Sequence, residues 1–270
     1  MTSASRMTLV AQIVRESGYA ALANRASGYF YRRTLRRILP GKTAVRYASV
    51  AISRDKKIGD LLVPQSWVPG DLHDIPNYEE TLVGAIRAHV RIGDDVVVVG
   101  GGEGVTSIIA AQMAGERGSV VCLEGAAEFA TCVEVAARRN GVEHRLTVRH
   151  AVVGVAISVY GSEESQSSAV IDPADLPRCD VLELDCEGAE ITILENMRIA
   201  PRSVLVETHG LYGATTAKVR KLLEDRSYDV VDLGWAEPRM VDDCKEHDIR
   251  ILAGTLRPVT DSHGVVQEQR

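Results

Sequence analysis

The sequence predicts an α/β protein built on a mostly parallel sheet with helices on both faces. Three observations predict it. From Tyr78 onward, short apolar runs alternate with stretches of helical length, the signature of βαβ units. The first of those runs ends in a glycine-rich turn that opens a helix. The composition is globular: 270 residues, 45% hydrophobic and 25% charged, enough chain to bury a core without staples.

The elements follow in order. A helix over Glu79–Val90 leads into the valine run Val96–Val99, and a second helix covers Val105–Ala114. A strand Ser119–Leu123, a helix Ala127–Arg139 and a strand His144–Val152 come next. The strand Val181–Leu184, the helix Ile191–Met197, the strand Ser203–Val206 and the helix Thr216–Leu223 continue the alternation. Tyr228–Leu233 and Ile249–Ala253 read as two last strands. In such sheets ligands bind outside the carboxyl ends of the strands, so the residues just after each strand are the ones to inspect.

The start of the chain has a different character. Residues 1–50 hold nine Lys/Arg and one acid (Glu16), a net +8, while the remainder holds 22 bases and 36 acids, a net −14. This divides the chain into a basic helical and extended N-terminal arm over residues 1–60 and a second domain over 61–270. The arm contains helical spacing at Leu9, Val10, Ile13 and Val14, an arginine cluster at Arg32, Arg33, Arg36 and Arg37, and a stop at Pro40-Gly41. Ala44–Ile52 leans extended, Arg54-Asp55 reads as a turn before Leu61–Val63, and the prolines at 64, 69 and 76 mark a linker.

Several classes are excluded. The longest uncharged stretches are too short for a membrane span. Arg15 and Glu16 cut short the only apolar run that resembles a secretory signal. Five cysteines without CxxC spacing suit free thiols in a reducing cytoplasm better than disulfides or zinc.

Five strand ends carry candidate chemistry. Gly100, Gly102 and Gly104 let backbone amides approach an anionic or polar ligand, and their spacing leans towards S-adenosylmethionine, since a dinucleotide loop wants a glycine where Val105 stands. Glu124, at the tip of the next strand, is placed to accept hydrogen bonds from a ribose diol. Ala151, at the end of the third, leaves room for an adenine edge. The fourth delivers Asp185 and Glu187 on either side of Cys186, followed by the turn residue Gly188.

Two carboxylates side by side at a buried edge ask for a ligand ammonium, a sulfonium, a metal or a proton. Glu190, in the first turn of a helix, reads as structural because the dipole favours an acid there. Sequential strands tend to be neighbours, so Glu207 and His209 are expected to face Asp185 and Glu187. Histidine is the usual general base, although one at a strand end is often a hydrogen-bonded bystander. The cluster is also of a kind that holds a divalent ion, but no residue is assigned as a metal ligand.

Together these residues resemble the FkbM-type family of S-adenosylmethionine-dependent methyltransferases. The resemblance rests on Asp185-x-Glu187-Gly188-Ala189-Glu190 followed by Leu194, with Tyr78-Glu79, the glycine loop, Glu124, Asn140, Glu207 and His209 in support, over roughly residues 76–255. It implies a Rossmann-like class I methyltransferase sheet of seven strands, one reversed. It implies S-adenosyl-L-methionine as cofactor, held by Glu79, the loop glycines, Glu124 and Asp185. It also implies O-methylation of a small molecule or sugar, with Asp185 or His209 as base and Glu187 and Glu207 in orienting roles. Two positions depart from the family pattern: Val98 stands for an acid and Glu183 for a lysine.

An acidic cleft excludes nucleic acid as the acceptor, whose backbone demands a basic footprint. The basic arm suits either a lid or dimer contact on its own domain or peripheral attachment to an anionic membrane. The competing readings are a nucleotide-binding oxidoreductase and a catalytically weakened binding protein.

Overall fold

The computed structural model describes residues 45–52, 55–58, 61–64, 74–154 and 169–258. The helical expectations for residues 1–40 and most of the linker lie outside them. Contacts divide the chain into two units: Met1–Val45 with Ser53–Asp74, and Arg46–Ile52 with Ile75–Arg270. The expected boundary at residue 60 falls within the first unit.

In the smaller unit the described residues form one antiparallel hairpin, β3 (Asp55–Ile58) and β4 (Leu61–Pro64). Asp55, expected in a turn, therefore begins a strand. The extended segment before it forms two short strands, β1 (Val45–Tyr47) and β2 (Val50–Ile52), broken at Ala48-Ser49 where both residues adopt positive φ. The Asn140 side chain clamps β2 by accepting from the Ala51 amide (3.1 Å) and donating to its carbonyl (3.0 Å).

The larger unit is a Rossmann-like sandwich around an eight-stranded sheet in the order β11-β12-β10-β9-β5-β6-β7-β8. Its strands are β5 (Asp95–Val99), β6 (Ser119–Glu124), β7 (Leu146–Val153), β8 (Ala169–Ile171), β9 (Val181–Leu184), β10 (Ser203–Glu207), β11 (Tyr228–Trp235) and β12 (Arg250–Leu256). All seven expected strands are present, with β12 the reversed one, antiparallel to both β10 and β11. The eighth, β8, is a three-residue edge strand on the end of β7. It is too short and too exposed to leave a periodic signal.

The central strands are runs of Val and Leu because both faces are covered, so no polar alternation is needed. On one face lie α1 (Glu80–His89), α2 (Val105–Ala114) and α3 (Ala127–Asn140). α2 buries eight of its ten residues, which is why its sequence is apolar all round. α3 ends at Gly141, whose positive φ lets the Gly141 and Val142 amides return to the last turn.

On the other face α4 (Glu190–Asn196) and α5 (Thr216–Asp225) pack Ile193, Leu194, Val219 and Leu223 with Val97, Val99, Leu182, Leu184, Val204 and Val206 into one cluster. Thr215 caps α5 by accepting from the Lys218 amide. A short helix not foreseen in the sequence, α6 (Val241–His247), joins β11 to β12. No described helix is long and apolar enough to cross a membrane.

Candidate functional site

The strand order reverses between β5 and β9, and the carboxyl ends of β5, β6, β9 and β10 meet beside that point. The Asp185 amide donates to the Val99 carbonyl (3.0 Å) and the Gly100 amide to the Leu123 carbonyl (2.9 Å), so the loops leaving the three strands are stitched together. Gly100 has φ +95, and a Cβ there would stand 1.7 Å from the Asp185 carbonyl oxygen. No other residue type fits this crossing without moving the backbone.

Glu124 turns its buried carboxylate onto the glycine loop. Its Oε2 accepts from the amides of Gly101 (2.7 Å) and Gly102 (2.9 Å), and its Oε1 from Ala126 (2.8 Å). The acid at this strand tip thus shapes the loop, and Oε1, which accepts from one amide only, keeps a further lone pair for a ligand. Ala151, expected at the end of its strand, lies inside β7, buried and paired with Ala169 of β8. The strand runs on to Val153 because β8 gives its edge a partner.

The motif after β9 turns tightly: Glu187 has φ 53 and Gly188 φ 104, and α4 starts two residues later. Glu190, fully buried, organises this turn. Its carboxylate accepts from the amides of Cys186 (3.2 Å) and Gly188 (2.7 Å), and from Nδ1–H of His209 (2.8 Å). The structural role expected for Glu190 is therefore present, with a partner the sequence did not announce. β9 and β10 are parallel neighbours, as expected, which brings Glu207 and His209 alongside Asp185. Nε2 of His209 lies 3.5 Å from Asp185 Oδ1 and 3.7 Å from Glu207 Oε1. One ligand atom from each of Asp185, Glu207 and His209 lies within 4.8 Å of the others, close enough to share one cation.

Glu79 closes the site from α1. It stands in the left-handed region (φ 44, ψ 43) and its amide donates to Glu237 Oε2 (3.3 Å). The neighbouring Tyr78 stacks on Tyr47 at 4.7 Å. From below the edge, Glu183 of β9 adds a further carboxylate, paired in register with Val98 of β5 and Leu205 of β10. It is 1% exposed, and neither oxygen has a hydrogen bond of normal geometry; the Thr106 hydroxyl eases its ionisation only slightly.

These carboxylates raise one another. Burial, then the Asp185 charge, pushes Glu79 up to about 8. Burial and the same Asp185 charge hold Glu183 and Glu207 well above the usual carboxylate range. Asp185 is raised by burial despite the opposing pull of His209. For His209, burial opposes protonation, but the Glu190 hydrogen bond and the charges of Asp185, Glu190 and Glu187 outweigh it and lift the imidazole above its ordinary value. Among the described residues, the site has more negative than positive charge.

Of the residues singled out in the sequence, Glu79, Gly100, Gly102, Gly104, Glu124, Asp185, Glu187, Glu207 and His209 converge on this edge, and Ala151 is set back inside its strand. Sequence reasoning missed three contributions: the His209 contact of Glu190, the buried Glu183, and Glu237. The alternation that places residues 183 and 185 on one face held a signal for Glu183. Glu237 comes from the connection between β11 and β12, far along the chain, and left none.

No family model matches the chain, and no curated protein does. Among solved structures, it is similar to an S-adenosylmethionine-dependent O-methyltransferase from Thermotoga maritima (19% identity, 68% of each chain covered, TM-score 0.42). It is similar to an O-methyltransferase from Streptomyces achromogenes (19% identity, 66% of this chain and 79% of that one, TM-score 0.41). It is likewise similar to a precorrin-6y C5,15-methyltransferase from Geobacter metallireducens (16% identity, 70% and 93%, TM-score 0.45).

Proposed function

We propose that the chain is an S-adenosylmethionine-dependent O-methyltransferase acting on an uncharged hydroxyl of a small molecule or sugar, of the FkbM type that its motif resembles. The observation that carries this reading is the joining of a glycine loop at the strand-order reversal to an edge on which carboxylates (Glu79, Asp185, Glu207) outnumber the cations among the described residues. Such an edge suits a ligand that is an adenosine at one end and a cation at the other. A dinucleotide brings anionic phosphates, which these acids repel.

In this reading Gly100, Gly102, Gly104 and Glu124 face the adenosine half, with the remaining lone pair of Glu124 Oε1 taking a ribose hydroxyl. Asp185 and Glu79 face the methionine half. Bound S-adenosylmethionine supplies a sulfonium methyl group, which an acceptor oxygen takes by SN2 displacement. Asp185, Glu187 and His209 line the place where the acceptor hydroxyl must sit and lose its proton. Holding two reactants in line is the larger part of such catalysis, ~7–11 kcal/mol when the geometry is right.

Calorimetric titration of the full chain with S-adenosylmethionine, S-adenosylhomocysteine and NADH tests the reading. Saturable binding of the first two supports it. Heat from NADH alone, or from none of the three, overturns it.

A further inference from the structure

The geometry points to a divalent metal ion held by Asp185 Oδ1, Glu207 Oε1 and His209 Nε2, with Glu190 fixing the histidine from behind. Four observations carry this. First, Nε2 of His209 stands 3.5 and 3.7 Å from the two carboxylate oxygens. These separations are long for direct hydrogen bonds. They exceed by only a few tenths of an ångström the ~3.0–3.4 Å between two ligands of one ion at ~2.1 Å bond lengths, a gap that small side-chain shifts close when an ion binds.

Second, the tautomer suits a ligand. Nδ1–H is committed to the buried Glu190 at 2.8 Å, which leaves Nε2 as the ring nitrogen that faces Asp185 and Glu207 and would give up its proton for an ion. Glu190 cannot swing away, because the Cys186 and Gly188 amides hold the same carboxylate. A carboxylate behind a histidine is the usual outer partner of a metal-bound imidazole.

Third, Glu183 is 1% exposed with no hydrogen bond of normal geometry on either oxygen, and it belongs to the same field: its charge acts on Glu207, and that of Asp185 acts on it. A buried carboxylate without a partner next to three more is costly unless a cation lies close by. Fourth, the three ligand side chains keep 25%, 14% and 10% of their surface. The ion would thus be held on one side and open on the other, where water or an acceptor hydroxyl completes its shell.

Two carboxylates and one imidazole suit an ion of the Mn²⁺ to Zn²⁺ range better than Ca²⁺ or Mg²⁺, which favour all-oxygen shells. As a ligand, His209 acts through its lone pair on the ion. The ion orients the acceptor hydroxyl and makes it more acidic, and the half-buried Glu187 remains as a carboxylate beside it. That use rests on the transferase reading; the binding of the ion does not.

The test uses the full chain, stripped with EDTA and dialysed, titrated with Mn²⁺ alone by calorimetry and by the electron paramagnetic resonance signal of the free ion. One Mn²⁺ per chain is expected, with nitrogen hyperfine coupling that changes on ¹⁵N-histidine labelling; this readout needs no variant. Glu207→Gln or His209→Gln weakens binding at least ~10-fold and Glu190→Gln ~10–100-fold, while circular dichroism reports the fold intact. The exposed Asp242→Asn leaves binding unchanged. Affinity weaker than ~1 mM, absence of nitrogen coupling, or binding indifferent to Glu207→Gln and His209→Gln overturns the proposal. S-adenosylmethionine affinity measured in EDTA separates this failure from failure of the transferase reading.

Discussion

Glu190 Oε1 lies 2.8 Å from Nδ1 of His209, joining the first turn of α4 to the end of β10 through a bond with no solvent access on the carboxylate side. The same carboxylate gathers two amides of the turn before it. Replacing Glu190 by Ala leaves those donors buried and unpaired. A loss of about 3 kcal/mol is expected in urea unfolding, since hydrogen bonds to charged groups contribute about 1.5–3 kcal/mol each and are not additive. Glu190→Gln, which keeps an acceptor, should lose less than half as much.

The crossing of Gly100 with the Asp185 carbonyl sets a second expectation. Gly100→Ala places a methyl group 1.7 Å from that oxygen at a φ only glycine tolerates. The loop must move, so S-adenosylmethionine binding by calorimetry should vanish. A drop in stability of roughly 1–3 kcal/mol should accompany it.

Glu124 allows a milder probe of the same loop. Glu124→Ala removes the acceptor for the Gly101 and Gly102 amides and any bond to the ribose. The dissociation constant for S-adenosylmethionine should rise roughly 10–100-fold, the equivalent of one or two charge-assisted hydrogen bonds. Adenosine should lose affinity in parallel, because the site of damage is the nucleoside half.

Glu183 should be stabilising to remove. Glu183→Leu in the EDTA-treated chain replaces a buried, unpartnered carboxyl with an apolar side chain of similar size between Val98 and Leu205. An increase of roughly 1–4 kcal/mol in chemical denaturation is expected. An unchanged or lower value would mean that the carboxyl has a partner.

The thiols give a pH prediction. Burial pushes Cys122 and Cys179 up to about 12, so at pH 8 only about one molecule in 10⁴ carries the reactive thiolate. None of the five cysteines forms a disulfide. Ellman's reagent should therefore react very slowly at these two sites in the native chain at pH 8, tenfold faster per pH unit below 12, and at once in guanidinium. Peptide mapping after alkylation identifies the sites.

The fold was legible because its signals are local. The valine run of β5, the glycines after it and the alternation of strand and helix each state their own role, and β9 and α2 match their expected bounds residue for residue. Legible too was the meeting of Asp185 with His209, since neighbouring parallel strands end side by side. What escaped depends on the third dimension. β8 owes its existence to the edge of β7 rather than to its own three residues. The Glu190–His209 bond needs the turn at Glu187-Gly188, whose positive φ values no periodicity announces. Glu79 and Glu237 meet across 158 positions of chain.

β12 follows every other described strand in the sequence, yet it lies between β10 and β11 rather than at a margin. During synthesis the Ser203–Glu207 edge, with His209 at its tip, stays uncovered until Leu256 has left the ribosome. A growing chain thus carries an open sheet margin, the feature by which strands recruit wrong partners. A nascent chain stalled before Arg250 should be the species that chaperones retain.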